Sequence, residues 1–216
     1  VLMIPALLAL KKRNYKLTSK DWAFFALTGF ICVVVSMMLY QLAINYAPAS
    51  IVAVLFSCNP VFVIIFAYFM LNEKIYKYTI VSILVSFAGI IVIMNPLHMS
   101  ASVAGITLSI LAAVTFALYG VTGRAHSENY GGVVLTCFSF LAGSIEMFAL
   151  ILVTNISAVS TSLSNAGFKM FASVNILQGI NLQTLPSLIY IGVFVTGLGY
   201  VFYFLAMECT SAATAS

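Results

Sequence analysis

The segment Gln41–Ile75, QLAINYAPASIVAVLFSCNPVFVIIFAYFMLNEKI, decides the fold class of this chain. It contains two apolar runs separated by the short break Tyr46-Ala47-Pro48, and the second run carries Asn59-Pro60 near its middle. Apolar runs of about 20 residues are long enough to cross a bilayer as helices. A proline inside such a helix removes a backbone donor and kinks the helix. The segment therefore predicts two membrane-spanning helices, the second of them interrupted at bilayer depth.

The composition of the whole chain extends this prediction. Of the 216 residues, 63% are hydrophobic and 6% are charged, and the mean hydropathy is +1.14. Soluble domains carry about 25% charged residues, so a water-soluble protein is excluded. The apolar runs lack the alternation of barrel strands, which predicts an all-α polytopic helix bundle. The predicted complete spans are Ala23–Tyr46, Ala49–Leu71, Tyr78–Met94, Val103–Val121, Gly132–Val153 and Leu185–Met207.

Both ends of the sequence are expected to belong to incomplete helices. Val1–Leu10 is apolar but too short to cross a bilayer, and no charged segment precedes it to mark a signal peptide. Ala212–Ser216 begins like another helix. We therefore expect the sequence to be part of a longer chain.

The basic residues are distributed unevenly between the predicted loops. If every span crosses the bilayer, eight of the nine Lys and Arg residues fall on one side, and Lys169 falls on the other. Because loops rich in Lys and Arg stay in the cytoplasm, this side is predicted to be cytoplasmic. We expect a multi-pass protein in the plasma membrane of a bacterium or archaeon, with no nucleic-acid partner. The residues on the basic side are Lys11, Lys12, Arg13, Lys16, Lys20, Lys74, Lys77 and Arg124.

A weak internal repeat is found at an offset of 163 residues. It aligns Gly29 with Gly192 and Tyr40 with Tyr203, and it gives five identities over 25 positions. Both copies run from an aromatic-Leu-Ala helix end into a turn of small residues, the second at Thr210–Ala213. The two spans are separated by an odd number of crossings, so they run in opposite directions. Inverted repeats of this kind are known in secondary transporters, although chance similarity between two apolar helices is the alternative.

Polar residues beside Pro60 are the first candidates for a substrate cavity. Ser57 and Asn59 lie next to this proline at bilayer depth, where polar side chains usually face the interior of the bundle. The functional interpretation is a cavity wall and hinge. The alternative is a structural kink whose free carbonyl is satisfied by a neighbouring helix.

Further candidates come from other spans. Ser36 and Tyr40 are four residues apart and share a helix face, which suits either tight packing or a cavity lining. Tyr119 and Tyr200 are predicted either to line the cavity or to lie at the membrane interface, where aromatic rings with a polar tip accumulate. Glu146 is the only acidic residue deep within a predicted span, and a buried carboxylate there suggests proton coupling. An outer vestibule is the alternative location for Glu146.

Catalytic and metal-binding chemistry find no support in the sequence. The four cysteines occur singly, without the Cys or Cys/His spacing of a metal site. His98 and His126 are predicted to lie in loops on opposite sides of the membrane, and no phosphate-binding loop is present. We expect no enzymatic activity, no metal and no cofactor.

Two segments resemble a known transporter family. Ala43–Ile75, with its Tyr-Ala-Pro-Ala break, mid-helix Asn-Pro and terminal Leu-Asn-Glu-Lys-Ile, resembles the first repeat of the EamA domain in the drug/metabolite transporter superfamily. Gly105–Arg124, GITLSILAAVTFALYGVTGR, is similar to the opening helix of the second repeat. The resemblance implies two inverted five-helix repeats, truncated here to residues 1–96 and 103–216. Helix 1, part of helix 2 and helices 9 and 10 would be missing.

The resemblance also implies a function. It suggests export of small metabolites or amino acids by alternating access, with Asn59 and Pro60 on a cavity-lining helix and Glu73 in a structural role. The expected partners are the lipid bilayer and a small-molecule substrate, and the oligomeric state is left open. One alternative is a nucleotide-sugar or organophosphate exchanger, which would need Lys or Arg facing the cavity. The other alternative is a non-transporting membrane scaffold or subunit.

Overall fold

The computed structural model describes residues 3–12, 17–94, 102–168, 171–172 and 181–209, and its regular structure within these ranges is helical. Two helices contain a π-helical segment, named here π1 and π2. The elements are α1 Met3–Lys12, α2 Ser19–Gly29, π1 Phe30–Ser36, α3 Met37–Tyr46, α4 Ala49–Phe56, α5 Asn59–Leu71, α6 Lys77–Met94, α7 Val103–Tyr130, α8 Gly132–Thr154, α9 Ser157–Asn165, α10 Leu185–Tyr190, π2 Ile191–Leu198 and α11 Gly199–Cys209.

The predicted polytopic helical fold is confirmed. Within the described residues, five helices are long and apolar enough to cross a membrane, and they match five of the six predicted spans. The sixth predicted span corresponds to α6, whose apolar part Lys77–Val92 is shorter, so its crossing stays a prediction. The five spans are Ser19–Tyr46, Ala49–Leu71, Val103–His126, Gly132–Thr154 and Leu185–Tyr203.

The helix of the first span starts at Ser19, before its apolar run. Thr18 is the N-cap residue, and its backbone N–H donates to Asp21 Oδ2 at 2.6 Å while its hydroxyl donates to the same oxygen at 2.9 Å. This capping arrangement satisfies donors that the first helical turn leaves without partners. The cap therefore extends the helix by one turn beyond the apolar residues that predicted it.

The second span ends at Asn72 for a backbone reason. Asn72 has a φ of 54°, in the left-handed region that asparagine tolerates better than most residues with a side chain. The N–H of Glu73 then turns back to the carbonyl of Ala67 at 3.2 Å, which caps the end of α5. The Leu-Asn-Glu sequence is thus a helix stop, and it places Glu73 in the loop that follows.

Helix α7 lies at the centre of the bundle and packs against α3, α4, α5, π1 and α11. At one end, the hydroxyl and the N–H of Ser102 donate to the carbonyl of Tyr46 at 2.9 and 3.2 Å. In the middle, the Ser36 hydroxyl donates to the carbonyl of Ala112 at 3.0 Å. These bonds hold α7 along the first span.

The other end of α7 is held by a buried cluster. The Tyr130 hydroxyl donates to Asp21 Oδ1 at 2.7 Å, and Asp21 is buried. The His126 ring packs on Phe24, with 4.1 Å between ring centroids. The prediction that His126 lies in a loop is wrong, because α7 continues to Tyr130. The apolar run ends near Val121, but contacts with α2 keep the following residues helical.

Helices α6 and π2 present large apolar side chains around most of their circumference. Val85, Val92, Phe194 and Val195 are all more than half exposed. Apolar side chains all round a helix are typical of a membrane span. Contact with the lipid bilayer accounts for these surfaces. Of the positions discussed from sequence, residues 1–2, Arg13, Lys16, His98, Lys169 and residues 210–216 lie outside the described part of the chain.

The first span crosses α8 at two glycines. A Cβ on Gly29 would lie 2.6 Å from the backbone nitrogen of Gly143 and would also meet the carbonyl of Ser139. Beside this crossing, the hydroxyls of Thr28 and Ser139 are hydrogen-bonded at 2.8 Å. Small residues that allow backbone contact, together with interhelical hydrogen bonds, are the usual basis of helix association in membranes.

Gly29→Ala should therefore destabilise the protein. The added methyl group meets backbone atoms that cannot rotate away, and overpacking of this kind costs about 1–3 kcal/mol. The free energy of unfolding of the purified full-length protein, measured by denaturant titration in mixed micelles, checks this. Gly89→Ala is the matched control, since a Cβ there meets nothing within 4 Å. Equal losses in the two variants would contradict the close crossing.

Candidate functional site

The second span is broken in its middle, as the sequence predicted. Helix α4 ends at Phe56, a turn at Ser57 and Cys58 follows, and α5 begins at Asn59. Pro60 is the second residue of α5, where its missing N–H is tolerated because first-turn donors have no intrahelical acceptor. Helix α4 has eight residues, which puts the break about 12 Å from the start of the span. The structure thus interrupts the second span beside Pro60, on its N-terminal side.

The polar side chains at the break differ in their surroundings. Oδ1 of Asn59 is buried, and within the described part of the chain it has no hydrogen-bond partner. The Ser57 side chain is exposed, and its hydroxyl donates to the carbonyl of Val54 at 2.6 Å. An acceptor that is shielded but unused is costly in an apolar setting unless water or a ligand reaches it. Asn59 is therefore the residue at the break that has a free acceptor to offer a bound molecule.

A continuous series of aromatic rings passes the break. Tyr40 makes an edge-to-face contact with Phe56 at 5.2 Å, and Phe56 contacts Phe116 at 5.3 Å. The series continues through Tyr200 to Phe140, and Tyr119 contacts its second half. We call it the aromatic chain. Its further centroid distances are 5.9 Å for Phe116–Tyr200, 4.7 Å for Tyr200–Phe140, 6.3 Å for Tyr119–Tyr200 and 6.5 Å for Tyr119–Phe140.

The structure thus brings together candidates that are far apart in sequence. Tyr40, Tyr119 and Tyr200 belong to α3, α7 and α11, yet one aromatic chain joins them. Tyr119 is completely buried, so its ring packs within the bundle and does not face the lipid. Ser36 is also completely buried and bonded to Ala112, which favours its packing role over a cavity lining.

Three tyrosine hydroxyls and one thiol meet beside the aromatic chain. Cys32 and Tyr200 are hydrogen-bond partners. Cys32, Tyr200 and Tyr203 are close enough to Tyr119 to interact with its hydroxyl. The Tyr203 hydroxyl lies over Gly120, where a Cβ would be only 2.7 Å from its oxygen. Three spans therefore contribute hydroxyl or thiol groups to one cluster.

Several members of this site carried no signal of their own in the sequence. Phe56, Phe116 and Phe140 are indistinguishable from lipid-facing phenylalanines when each is read within its own helix. A partial signal is the spacing of Phe116 with Tyr119 and of Tyr200 with Tyr203, since residues three apart share a helix face. Which helices those faces meet depends on contacts between distant parts of the chain.

Phe140, the last ring of the aromatic chain, also lines a cavity of about 320 Å³. It is bounded by α1, α8 and π2, and its polar lining groups are those of Cys137 and Ser144. The two glycines Gly192 and Gly197 leave room on the π2 side. A volume near 300 Å³ lies at the small end of the range for ligand sites in proteins.

Glu146 lies apart from the aromatic chain as an isolated carboxylate in α8. It is half-buried, and its Oε2 is shielded without a hydrogen-bond partner within the described residues. Eight residues separate it from Thr154 at the end of α8, a distance of about 12 Å along the helix. The next residue, Met147, lines a second cavity of about 260 Å³ with apolar walls.

Comparison with known proteins identifies similar chains. A model of the EamA-like transporter family matches residues 1–95 and 103–216. A protein from Clostridium kluyveri named as an uncharacterized transporter is 39% identical over 223 residues, which cover 100% of this chain and 66% of that protein. One from Archaeoglobus fulgidus with the same name is 28% identical over 192 residues, covering 88% of this chain and 61% of its own length.

A third relative is the uncharacterized transporter YvbV of Bacillus subtilis, 26% identical over 194 residues and covered over 58% of its length. The chain thus spans less than two thirds of the length of these relatives. No solved structure matches the chain.

Proposed function

Since the chain belongs to the EamA-like transporter family, we propose that the whole protein is a secondary-active transporter. It would export small metabolites or amino acids by alternating access. The observation that carries this proposal is the broken span with the unpartnered Oδ1 of Asn59 at bilayer depth. Discontinuous helices that line a midplane site are a recurring feature of secondary transporters. A scaffold has no need of a shielded, unused acceptor in the membrane.

Two inverted repeats, at residues 1–96 and 103–216, form part of the proposal. The offset of 163 residues maps π1, Phe30–Ser36, onto positions 193–199, which overlap π2, Ile191–Leu198. π-helical segments are rare, so their occurrence at matching positions of two spans supports a common origin. The site then lies where elements of both repeats meet, because the aromatic chain joins residues from each.

The orientation follows from the distribution of charge. With the basic loops in the cytoplasm, the Tyr46–Pro48 break faces outward and Glu73 faces the cytoplasm. Bacterial and archaeal relatives support a plasma-membrane location. A nucleotide-sugar or organophosphate exchanger is less well supported, since the sequences 23–71, 103–121 and 185–207 contain no Lys or Arg to meet a phosphate.

Solute counterflow tests the proposal. The full-length protein is reconstituted into liposomes loaded with one unlabelled solute, and entry of the same labelled solute is followed. The panel contains neutral amino acids, nucleosides, sugars and sugar phosphates, and protein-free liposomes are the control. We expect transient accumulation of at least one amino acid or uncharged metabolite. Accumulation of sugar phosphates alone would favour the exchanger, and accumulation of nothing would favour the scaffold.

A further inference from the structure

We propose that the cavity bounded by α1, α8 and π2 is filled by another part of the same protein. The occupant is the helix that continues α1 on the N-terminal side of Met3 in the full-length chain, and it crosses π2 at Gly192. The basis is the proposed inverted repeat together with contacts among the described residues. Transport of a substrate plays no part in it, so the cavity is an interface between helices and not a substrate site.

The span that contains π2 has little protein around it. Of the five spans found among the described residues, Leu185–Tyr203 is the least buried, with 11% of its most apolar stretch buried against 28–39% in the others. A Cβ on Gly192 would meet nothing within 4 Å. Open space at a glycine is not informative alone, since Gly89 and Gly199 have it too. Gly192 differs from these two because it lines the cavity and has a partner in the repeat.

The offset of 163 residues pairs Gly192 with Gly29, where the first span crosses α8. A Cβ on Gly29 would lie 2.6 Å from the nitrogen of Gly143, and a Cβ on Gly143 would lie 2.9 Å from the carbonyl oxygen of Gly29. The span before that of Gly192 is α8, and the helix before the span of Gly29 is α1. A two-fold relation between the repeats exchanges these pairs. The helix of α1 is therefore expected to cross π2 at Gly192.

The crossing point falls on the N-terminal side of Met3. Gly143 lies 11 residues before Thr154, the last residue of α8. The same distance counted back from Lys12, the last residue of α1, leads to position 1. The ten described residues of α1 span about 15 Å, roughly half of what a bilayer requires. The matched region covers 66% of the Clostridium kluyveri relative, which leaves length for the rest of this helix.

The cavity lies in the path of this continuation. Met3, the first described residue of α1, lines the cavity together with Ser144 of α8 and Gly192 of π2. A helix that continues α1 past Met3 therefore enters the space between α8 and π2. On α8, Phe148 lies four residues after Ser144 on the same helix face, and its side chain is 53% exposed. The continuing helix fills the cavity with side chains from one of its faces and covers Phe148.

The cavity wall has the composition of a helix interface in a membrane. Its described lining residues are apolar or small, and none of them is charged. Such residues let two helix backbones approach closely, and hydroxyl groups can add hydrogen bonds between the helices. The observed crossing of the first span with α8 combines two glycines with the Thr28–Ser139 hydrogen bond. The cavity offers the matching pair of features, a glycine at 192 and a hydroxyl at Ser144.

Cysteine cross-linking in a cysteine-free version of the full-length protein tests where this helix lies. One cysteine replaces Val193, which lines the cavity, so that Gly192 is left intact. A second cysteine is placed in turn at position 1 and at each of about ten preceding residues, which make up half a membrane helix. After oxidation, mass spectrometry of the digested protein identifies linked peptides. We expect intramolecular disulfides at positions about three or four residues apart, since such residues share a helix face.

Val195→Cys is the matched control for the cross-link. Val195 lies two residues further along π2, is 55% exposed and is not part of the cavity wall. It should form no disulfide with the same positions. Absence of any disulfide to Val193→Cys, or equal linking to Val195→Cys, would overturn the proposal. Disulfides between two chains would overturn it as well, because a second copy would then occupy the cavity.

A spin label at position 148 tests whether a helix covers Phe148. Phe148→Cys is labelled in the full-length protein in liposomes, and its collision rate with dissolved oxygen is measured. A spin-labelled lipid gives the rate for lipid contact, and Val134→Cys gives the rate for a completely buried position on the same helix. We expect a rate at position 148 at least about threefold below the lipid value, because a packed helix excludes lipid. A rate equal to the lipid value would refute the proposed contact. Failure of solute counterflow beside a positive cross-link would count against transport alone.

Discussion

Replacing Glu146 with glutamine is expected to abolish the response of transport to a proton gradient. Glutamine has the same shape as glutamate but cannot bind and release a proton. Glu146 is half-buried, with a shielded Oε2, and sits about 12 Å from the end of α8. An ionisable residue within a membrane span is a candidate functional residue, and proton coupling is the role that we propose for Glu146. We expect gradient-driven flux to fall at least about tenfold in Glu146→Gln, while counterflow without a gradient stays within about twofold of wild type.

The measurement uses liposomes with an imposed pH difference and the solute that gives the largest counterflow signal. Glu73→Gln is the matched control, because Glu73 follows the Asn72 helix stop and has no proposed role in coupling. This control should respond to the gradient as wild type does. Glu146→Asp keeps a titratable group and should keep part of the response. A Glu146→Gln variant that responds fully would leave the carboxylate as a group in an outer vestibule.

The fold could be predicted largely from local properties of the sequence. Apolar runs of sufficient length identify spans because the bilayer leaves few alternatives to a helix. The first and last residues of those helices were harder to predict. Ser19 starts its helix because Thr18 and Asp21 form a cap, and α7 reaches Tyr130 through tertiary contacts. The Thr-Ser-Lys-Asp sequence at 18–21 was a usable signal for the cap.

The π-helical segments could not be predicted from the sequence. Phe30–Ser36 is a run of mostly apolar residues that fits an α-helix equally well. Its π geometry adds one residue to a turn. This changes the angle around the helix axis between Gly29 and Ser36. Gly29 then meets α8 while Ser36 meets α7. Only the packing of the first span against two neighbours at once reveals this requirement.

The candidate site was predicted in part. Asn59 and Pro60 stood out because a polar residue and a proline are unusual in the middle of an apolar run. Tyr119 and Tyr200 were recognised as polar aromatic residues, but their contact with each other was not. Phe140 connects this cluster to the cavity, and a phenylalanine in a membrane span carries no local mark of such a role.

The second prediction concerns the accessibility of position 59 to a thiol reagent in water. Measuring it tests the proposal of alternating access, and the substrate need not be known. Asn59→Cys is introduced into a cysteine-free version of the full-length protein and treated with a membrane-impermeant thiol reagent from each side in turn. Val63→Cys is the matched control, since Val63 lies four residues further along α5 and is completely buried. We predict labelling of Asn59→Cys from both sides and of Val63→Cys from neither. Labelling of Asn59→Cys from one side only would contradict alternation, and its failure to react from either side would contradict a transport cavity at the broken helix.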